Sequence, residues 1–327
     1  MSGFGEFEFI ARLLAPLSKG HAGAFALKDD AAVIAPRAGH ELVVTADALV
    51  AGRHFLESDD PALVARKALR ANLSDLAAMG ATPLWYMTSL VWPLGTDRAL
   101  QARFVEGLKA DQERFGLTLI GGDTTAGEGP FTVAVTAFGE VPAGKAVTRA
   151  GARPGDRLVV TGAIGDAGLG LALARGERAL DGEAAAALLE RHYLPTPRIA
   201  LAPALREHAR AAIDVSDGLV ADAGHVAAAS GLALALRLED MPVSPAAGEW
   251  LASQPDEAAA RLRLATSGDD YELACALAPE RVDAFIAACR EAGVEAKQAG
   301  IFGAGEGVTV SFEGRTLPVE RGGFTHF

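Results

Sequence analysis

Apolar positions along the chain switch between a twofold and a helical period. Residues 41–50, ELVVTADALV, are an apolar run leading into an acid and predict a strand. Over residues 60–83, DPALVARKALRANLSDLAAMGATP, Leu63, Leu69, Leu73 and Leu76 fall near helical spacing. Asp60 can cap that helix, Pro61 suits its first position, and Gly80 and Pro83 stop it. Residues 82–93 predict a buried strand, and residues 97–116 a second helix ended by Gly116. Leu117, Leu119 and Ile120 then predict a strand that stops at Gly121-Gly122, with Asp123, Thr124 and Thr125 at its lip. Residues 131–141, FTVAVTAFGEV, alternate as a strand does.

A turn at Arg-Pro-Gly-Asp, within residues 148–156, predicts a boundary between domains 1–148 and 149–327. Beyond it RLVVTG restarts a strand, a glycine-spaced segment leads into a helix at 163–176, and alanine-rich helices continue to about residue 210. Residues 211–231 read as strand, acidic turn and helix; residues 263–277 read as acidic turn, then strand. The succession suits α+β rather than strict βαβ alternation.

Composition narrows the function. A chain of 327 residues, half of them hydrophobic, suits two domains with sizeable cores. A formal charge of −12, from 42 acids against 30 bases, argues against nucleic acid as the partner. Cys275 and Cys289 form neither a metal-binding spacing nor a disulfide framework. The acidic start lacks the pattern of a signal peptide, and no apolar run reaches a membrane span. A cytoplasmic location, without membrane attachment, is expected.

Acids recur beside apolar segments: Asp29 and Asp30, Asp47, Asp75, Asp123, Asp214 and Asp217. Taken singly, an Asp before a helix is usually an N-cap and an Asp beside Gly is usually a turn residue; their recurrence along one chain weakens that reading. Asp75 differs, because it shares a helix face with Asn72 inside a helix of leucine and alanine. Clustered carboxylates repel one another unless cations lie between them. Mg²⁺ takes such hard oxygen ligands together with phosphate oxygens, so the set suggests a polyphosphate site with several magnesium ions. Gly121 and Gly122 would let the backbone approach a ligand. The P-loop and protein-kinase patterns are absent. Gly162, Gly165, Gly168 and Gly170 fail the dinucleotide spacing and read as tight strand-to-helix packing. His54 follows Asp47 closely, and Arg149 lies at the domain boundary.

These segments resemble one family. GEFEFIARL, KDDAAV, TADALVAGRHF, KALRANLSDLAAMGATP, LIGGDTT, VTRAGARPGD, VTGAIGDAG, AIDVSDGL, SGDDYEL and GGFTHF run in order along the whole chain. They resemble the thiamine-monophosphate kinases, within the aminoimidazole-ribonucleotide-synthetase-like ATP-binding superfamily. The resemblance implies two α/β domains. The N-terminal one would pair its mixed sheet across a homodimer into a barrel, and the C-terminal one would be sandwich-like. It also implies direct in-line transfer of a phosphoryl group from ATP to thiamine monophosphate, as the final step in making thiamine diphosphate.

By motif, the resemblance assigns Asp30, Thr45, Ala46, Asp47, Asp75, Asp123, Asp214 and Asp217 to Mg²⁺. It assigns Gly122, Asp123, Arg149 and Ser216 to ATP, and His54, Asp269 and Phe324 to the substrate. No residue is assigned as general base or nucleophile. That suits an acceptor phosphate already ionised near neutral pH, its second ionisation lying near about 6. Lys28, Ala46, Asp269 and Phe324 stand where the family usually has glycine, threonine, glutamate and tryptophan or tyrosine. A synthetase of the same superfamily and a non-catalytic nucleotide-binding module are the alternative readings. The lack of an N-terminal cysteine counts against a selenophosphate synthetase, and the FTHF ending counts against a hydrogenase-maturation protein.

Overall fold

The computed structural model describes residues 6–178 and 180–324. The chain divides into two compact units, one running to Leu76 and resuming over Ala81–Gly144, the other joining Ala77–Gly80 to the chain from Lys145 on.

The first unit contains a helical turn α1 (Glu6–Phe9), β1 (His40–Val50), α2 (Pro61–Ala78), β2 (Thr82–Pro93), α3 (Arg98–Phe115), β3 (Thr118–Gly127) and β4 (Thr132–Pro142). Local chemistry sets the helix ends. Asp60 accepts the Ala62 N–H at 2.9 Å, and Asp97 caps α3 by accepting the Ala99 N–H at 3.0 Å. Gly116, at φ 74°, closes α3 in the left-handed conformation. The sheet has the order β1-β4-β2-β3, with β4 antiparallel to β1 and β2 and with β3 parallel to β2.

Alternate residues of β2, namely Tyr86, Thr88, Leu90 and Trp92, are buried on the helix-covered face. Trp92 stacks on Phe131 at 4.3 Å and meets Phe104 of α3 edge-on, while the Tyr86 hydroxyl donates to Gln112 of α3. Arg66 and Arg70 of α2 both bind the buried Asp111 of α3, which ties the two helices together. The opposite face carries Val44 and Val91, 55% and 37% exposed.

β3 corrects one expectation. The strand does not stop at Gly121-Gly122 but continues to Gly127, with a register shift opposite Tyr86 and Met87. A Cβ on Gly122, whose φ is +149°, would lie 2.1 Å from the Thr88 carbonyl oxygen of β2. Close strand approach at a bulge therefore accounts for this glycine, and no strand end is needed.

The second unit contains β5 (Arg157–Thr161), α4 (Asp166–Ala174), α5 (Gly182–Tyr193), α6 (Ala202–His208), β6 (Ala209–Asp214), α7 (Leu219–Ala229), β7 (Ala233–Arg237), α8 (Pro245–Ala252), α9 (Glu257–Ala265), β8 (Leu273–Leu277), α10 (Val282–Glu291), β9 (Ala296–Gly303), β10 (Gly307–Phe312) and β11 (Arg315–Leu317). Its sheet runs β11-β10-β7-β9-β5-β8-β6, and only β10 and β7 pair in parallel.

Alternate residues of the central strands feed two separate cores. Leu158, Val160, Ile213 and Ala274 pack with α7, α8 and α9, whereas Val159, Ala212, Leu273 and Cys275 pack with α6 and α10. Burial on both faces is why these strands read as unbroken apolar runs. The glycine-spaced segment is tight packing, as expected. Gly162 sits at φ +61°, and a Cβ there would lie 2.0 Å from the Glu272 carboxylate. Among the described residues no helix is long and apolar enough to cross a membrane.

Candidate active site

In the first unit, Thr45 and Asp47 alternate with Leu49 on the helix-covered face of β1. The Thr45 hydroxyl donates to Asp75 Oδ2 at 2.6 Å. Asp75 lies in the last turn of α2, far from the helix N-terminus, so it is no N-cap. One turn earlier, Asn72 is fully buried and donates to the Ala68 carbonyl. β1 and α2 run antiparallel here. Thr45 meets Asp75 at one end, and at the other Lys67 Nζ donates to the His54 carbonyl at 3.3 Å. His54 Nδ1 accepts the Val50 N–H at 3.0 Å, which puts the proton of a neutral ring on Nε2. Ala46 points to the other face. Among the described residues β1 is an edge strand, paired with β4 alone.

Asp123 sits at the far edge of this sheet. The register aligns Asp47 with Val135, Val135 with Thr88, and Thr88 with Gly122. Three strand spacings of ~4.8 Å put Gly122 roughly 14 Å from Asp47. Thr124 turns to the helix-covered face, where it accepts from the Trp92 indole, so Asp123 faces the opposite way. Asp30 lies exposed in a loop, its N–H held by Asp29 Oδ1 at 3.0 Å. The preceding Lys28 has φ −112°, a conformation open to any residue. Among the described residues no group of three or more His, Cys, Asp or Glu side chains is gathered to hold a metal ion. The acids of this unit are thus distributed over two sheet edges, one helix and a loop, with Thr45 and Asp75 in direct contact and Asp47 on the same face of β1 as Thr45.

The second unit draws its predicted residues closer together. β6 ends at the buried Asp214, and residues 215–218 follow as a loop. The Asp269 N–H donates to the Ser216 carbonyl at 2.8 Å, and the Phe324 N–H donates to the Asp217 carbonyl at 2.9 Å. The AIDVSDGL loop, the SGDDYEL turn and the GGF tail therefore meet backbone to backbone. Gly323 makes the tail's approach possible, since a Cβ there would lie 2.4 Å from the Asp217 carbonyl oxygen. Arg149 is exposed beside β6, because the Ala212 N–H donates to the Thr148 carbonyl at 3.0 Å. Thr325, His326 and Phe327, the rest of the tail motif, lie outside the described residues.

Asp222 escaped the sequence reading. From the first turn of α7 its Oδ2 accepts the N–H groups of Ser216, Asp217 and Gly218, at 3.0, 2.9 and 3.1 Å. This single oxygen shapes the loop that displays Ser216 and Asp217. Burial pushes its carboxyl up to about 7 despite those three donors, and the nearby Asp217 charge adds to the rise. The available signal was an acid four residues after Gly218, at the start of a helix.

The family models for AIR synthase related protein match here, the N-terminal domain over residues 28–141 and the C-terminal domain over residues 153–313. A thiamine-monophosphate kinase of Caulobacter vibrioides is 47% identical over 321 residues, covering 98% of this chain and 90% of that protein. The chain belongs to the thiamine-monophosphate kinase family. A crystal structure of a family member from Stenotrophomonas maltophilia K279a has TM-score 0.80 at 38% identity, over 87% of this chain and 89% of that one. A structure described as AaThiL complexed with AMPPCP and TMP has TM-score 0.79 at 31% identity, over the full length of both chains. The kinase-family likeness thus embraces both acid groups and also reaches Arg149 and Phe324, which lie outside the two matched domains.

Proposed function

We infer that the protein phosphorylates thiamine monophosphate to thiamine diphosphate with ATP as the donor. The observation that carries this reading is full-length likeness to a relative bound to AMPPCP and TMP, together with 47% identity to a named thiamine-monophosphate kinase. In this reading Gly122, Asp123, Arg149 and Ser216 contact ATP, and His54, Asp269 and Phe324 contact the substrate. Asp30, Thr45, Asp47, Asp75, Asp123, Asp214 and Asp217, with the Ala46 carbonyl, hold Mg²⁺. The donor chemistry fits that ion, for these are carboxylate, hydroxyl and carbonyl oxygens, with Thr45 Oγ1 and Asp75 Oδ2 already 2.6 Å apart. Bound magnesium neutralises the phosphate charges that would otherwise keep donor and acceptor apart. The protein's own contribution is positioning, because an ionised acceptor phosphate needs little help from a base. A cytoplasmic setting, with its supply of ATP, suits the reaction. The deciding assay follows ADP release with Mg²⁺ and compares thiamine monophosphate with free thiamine. Absence of turnover with the monophosphate would overturn the reading.

Phe324 is 47% exposed, which suits a ring offered to a ligand better than one anchoring the tail in a core. Phe324→Ala is expected to raise KM for thiamine monophosphate by roughly one to two decades. That corresponds to about 1–3 kcal/mol of lost stacking, cation–π contact and packing. KM for ATP should change little. Equal weakening toward both substrates would make the tail a structural element.

The exposed face of the first unit's sheet, with Val44 and Val91, is proposed to be covered by a second copy of the chain, pairing the two sheets into a barrel. Sedimentation at micromolar concentration should give a homodimer, and Val44→Lys should shift it toward monomer. A wild-type monomer would refute this assembly.

A further inference from the structure

We propose that Asp270 is a positioning residue that aims the neighbouring Asp269 carboxylate at the substrate; the proposal rests on the reading of Asp269 as a substrate contact. Asp269 and Tyr271, on either side of Asp270, have φ of +68° and +51°, in the left-handed region that L-residues seldom adopt. Such a backbone persists only where its surroundings hold it. Asp270 supplies much of that hold. It is 1% exposed, and both of its oxygens are used: Oδ2 accepts the Gly165 N–H at 2.7 Å, and Oδ1 accepts the Ala167 N–H at 3.2 Å. The start of α4 thereby grips the turn from below.

Two further contacts orient the same peptide. Arg191 Nη2 donates to the Asp270 carbonyl at 3.1 Å and to Glu272 Oε1 at 2.7 Å. On the other side, the Asp269 and Tyr271 N–H groups donate to the Ser216 and Val215 carbonyls, each at 2.8 Å. The Tyr271 hydroxyl lies 3.4 Å from Asp269 Oδ1. Asp270 thus fixes, from the buried side, the backbone that carries the half-buried Asp269 carboxylate. An acid held there suits the cationic or hydrogen-bond-donating part of the substrate better than its phosphate, which would repel it. In Asp270→Asn one oxygen becomes an NH₂ donor directed at a backbone N–H, so one hold is lost and the peptide can relax out of the left-handed region.

The test is steady-state kinetics of the full-length enzyme as wild type, Asp270→Asn, Asp269→Ala and the double variant. Asp270→Asn should raise KM for thiamine monophosphate about tenfold, as misplacing a contact group does, and leave KM for ATP within about twofold. In the Asp269→Ala background the same substitution should add less than about twofold, because it acts through Asp269. Arg191→Lys keeps the charge and perturbs the fold less. It should give the same selective effect, about threefold, and serves as the probe if Asp270→Asn does not fold.

A KM for thiamine monophosphate unchanged by Asp270→Asn and Arg191→Lys, while Asp269→Ala raises it, would overturn the positioning role alone. So would an equal rise of both KM values, or a rise that persists without Asp269. If Asp269→Ala itself changes nothing, the fault lies in the substrate assignment of Asp269, and the positioning role falls with it.

Discussion

Asp75→Asn is expected to leave a folded protein whose kcat falls at least about 100-fold, a loss of about 2.7 kcal/mol in transition-state stabilisation. Asparagine matches aspartate in shape and can still accept the 2.6 Å hydrogen bond from Thr45, so the contact between β1 and α2 survives. What disappears is one negative charge on an oxygen proposed to bind Mg²⁺. Asp75 sits in the last turn of α2, where an acid has no N-terminal cap to supply, so no capping role exists to be spared by the substitution. Asp123→Asn should also lose turnover, although Asp123 stands at the opposite edge of the sheet. A set of acids spread in this way serves one metal-assisted reaction only if each contributes separately. Rates are to be measured over a Mg²⁺ titration, with circular dichroism as the fold control. Near-wild-type kcat for Asp75→Asn at saturating Mg²⁺ would reject the metal assignment. Survival of Asp123→Asn alone would confine the site to the Thr45, Asp47 and Asp75 group.

Glu272→Gln should be the most damaging charge removal in the second unit. Glu272 is fully buried and meets Arg191 at 2.7 Å and Arg198 Nε at 2.6 Å, while accepting the Thr161 hydroxyl at 2.9 Å. The glutamine NH₂ would face two guanidinium groups and leave their charges without a partner. Breaking a buried ion pair from one side costs about 3–5 kcal/mol. The arginine side chains are 18% and 14% exposed, so water recovers part of that and about 3 kcal/mol is expected. At about 2–4 °C per kcal/mol for a unit of this size, Tm should fall by roughly 6–12 °C. Thermal unfolding followed by circular dichroism checks it. A Tm within about 2 °C of wild type would show that the arginines rehydrate without cost and that the network stabilises little.

Where a signal is local, the chain alone determined the outcome. The leucine spacing of α2, with Asp60, Pro61 and Gly80 at its ends, suffices because helix periodicity and capping act within a few residues. The alternation in β4 and the apolar runs of β5, β6 and β8 announce strands for the same reason. The family pattern assigns roles to residues of the SDG loop, the GDD turn and the GGF tail one by one, but their grouping is decided by backbone bonds between segments far apart in sequence.

Long-range contact decided the rest. Gly122 is demanded by the Thr88 carbonyl of a neighbouring strand, and Gly162 by the buried Glu272 carboxylate. No local pattern announces either neighbour. β9, β10 and β11 went unread because glycine and polar residues interrupt their apolar positions, and pairing of β9 with β5 and β7, of β10 with β7 and of β11 with β10 is what makes them strands. Asp222 looked like an ordinary acid opening a helix, until the fold placed three backbone N–H groups of the preceding loop on one of its oxygens. A side chain's chemical type is written in the sequence, but its partner is chosen by chain closure and packing, so a carboxylate becomes a cap, a metal ligand or a buried anchor only once the fold has brought its neighbours to it.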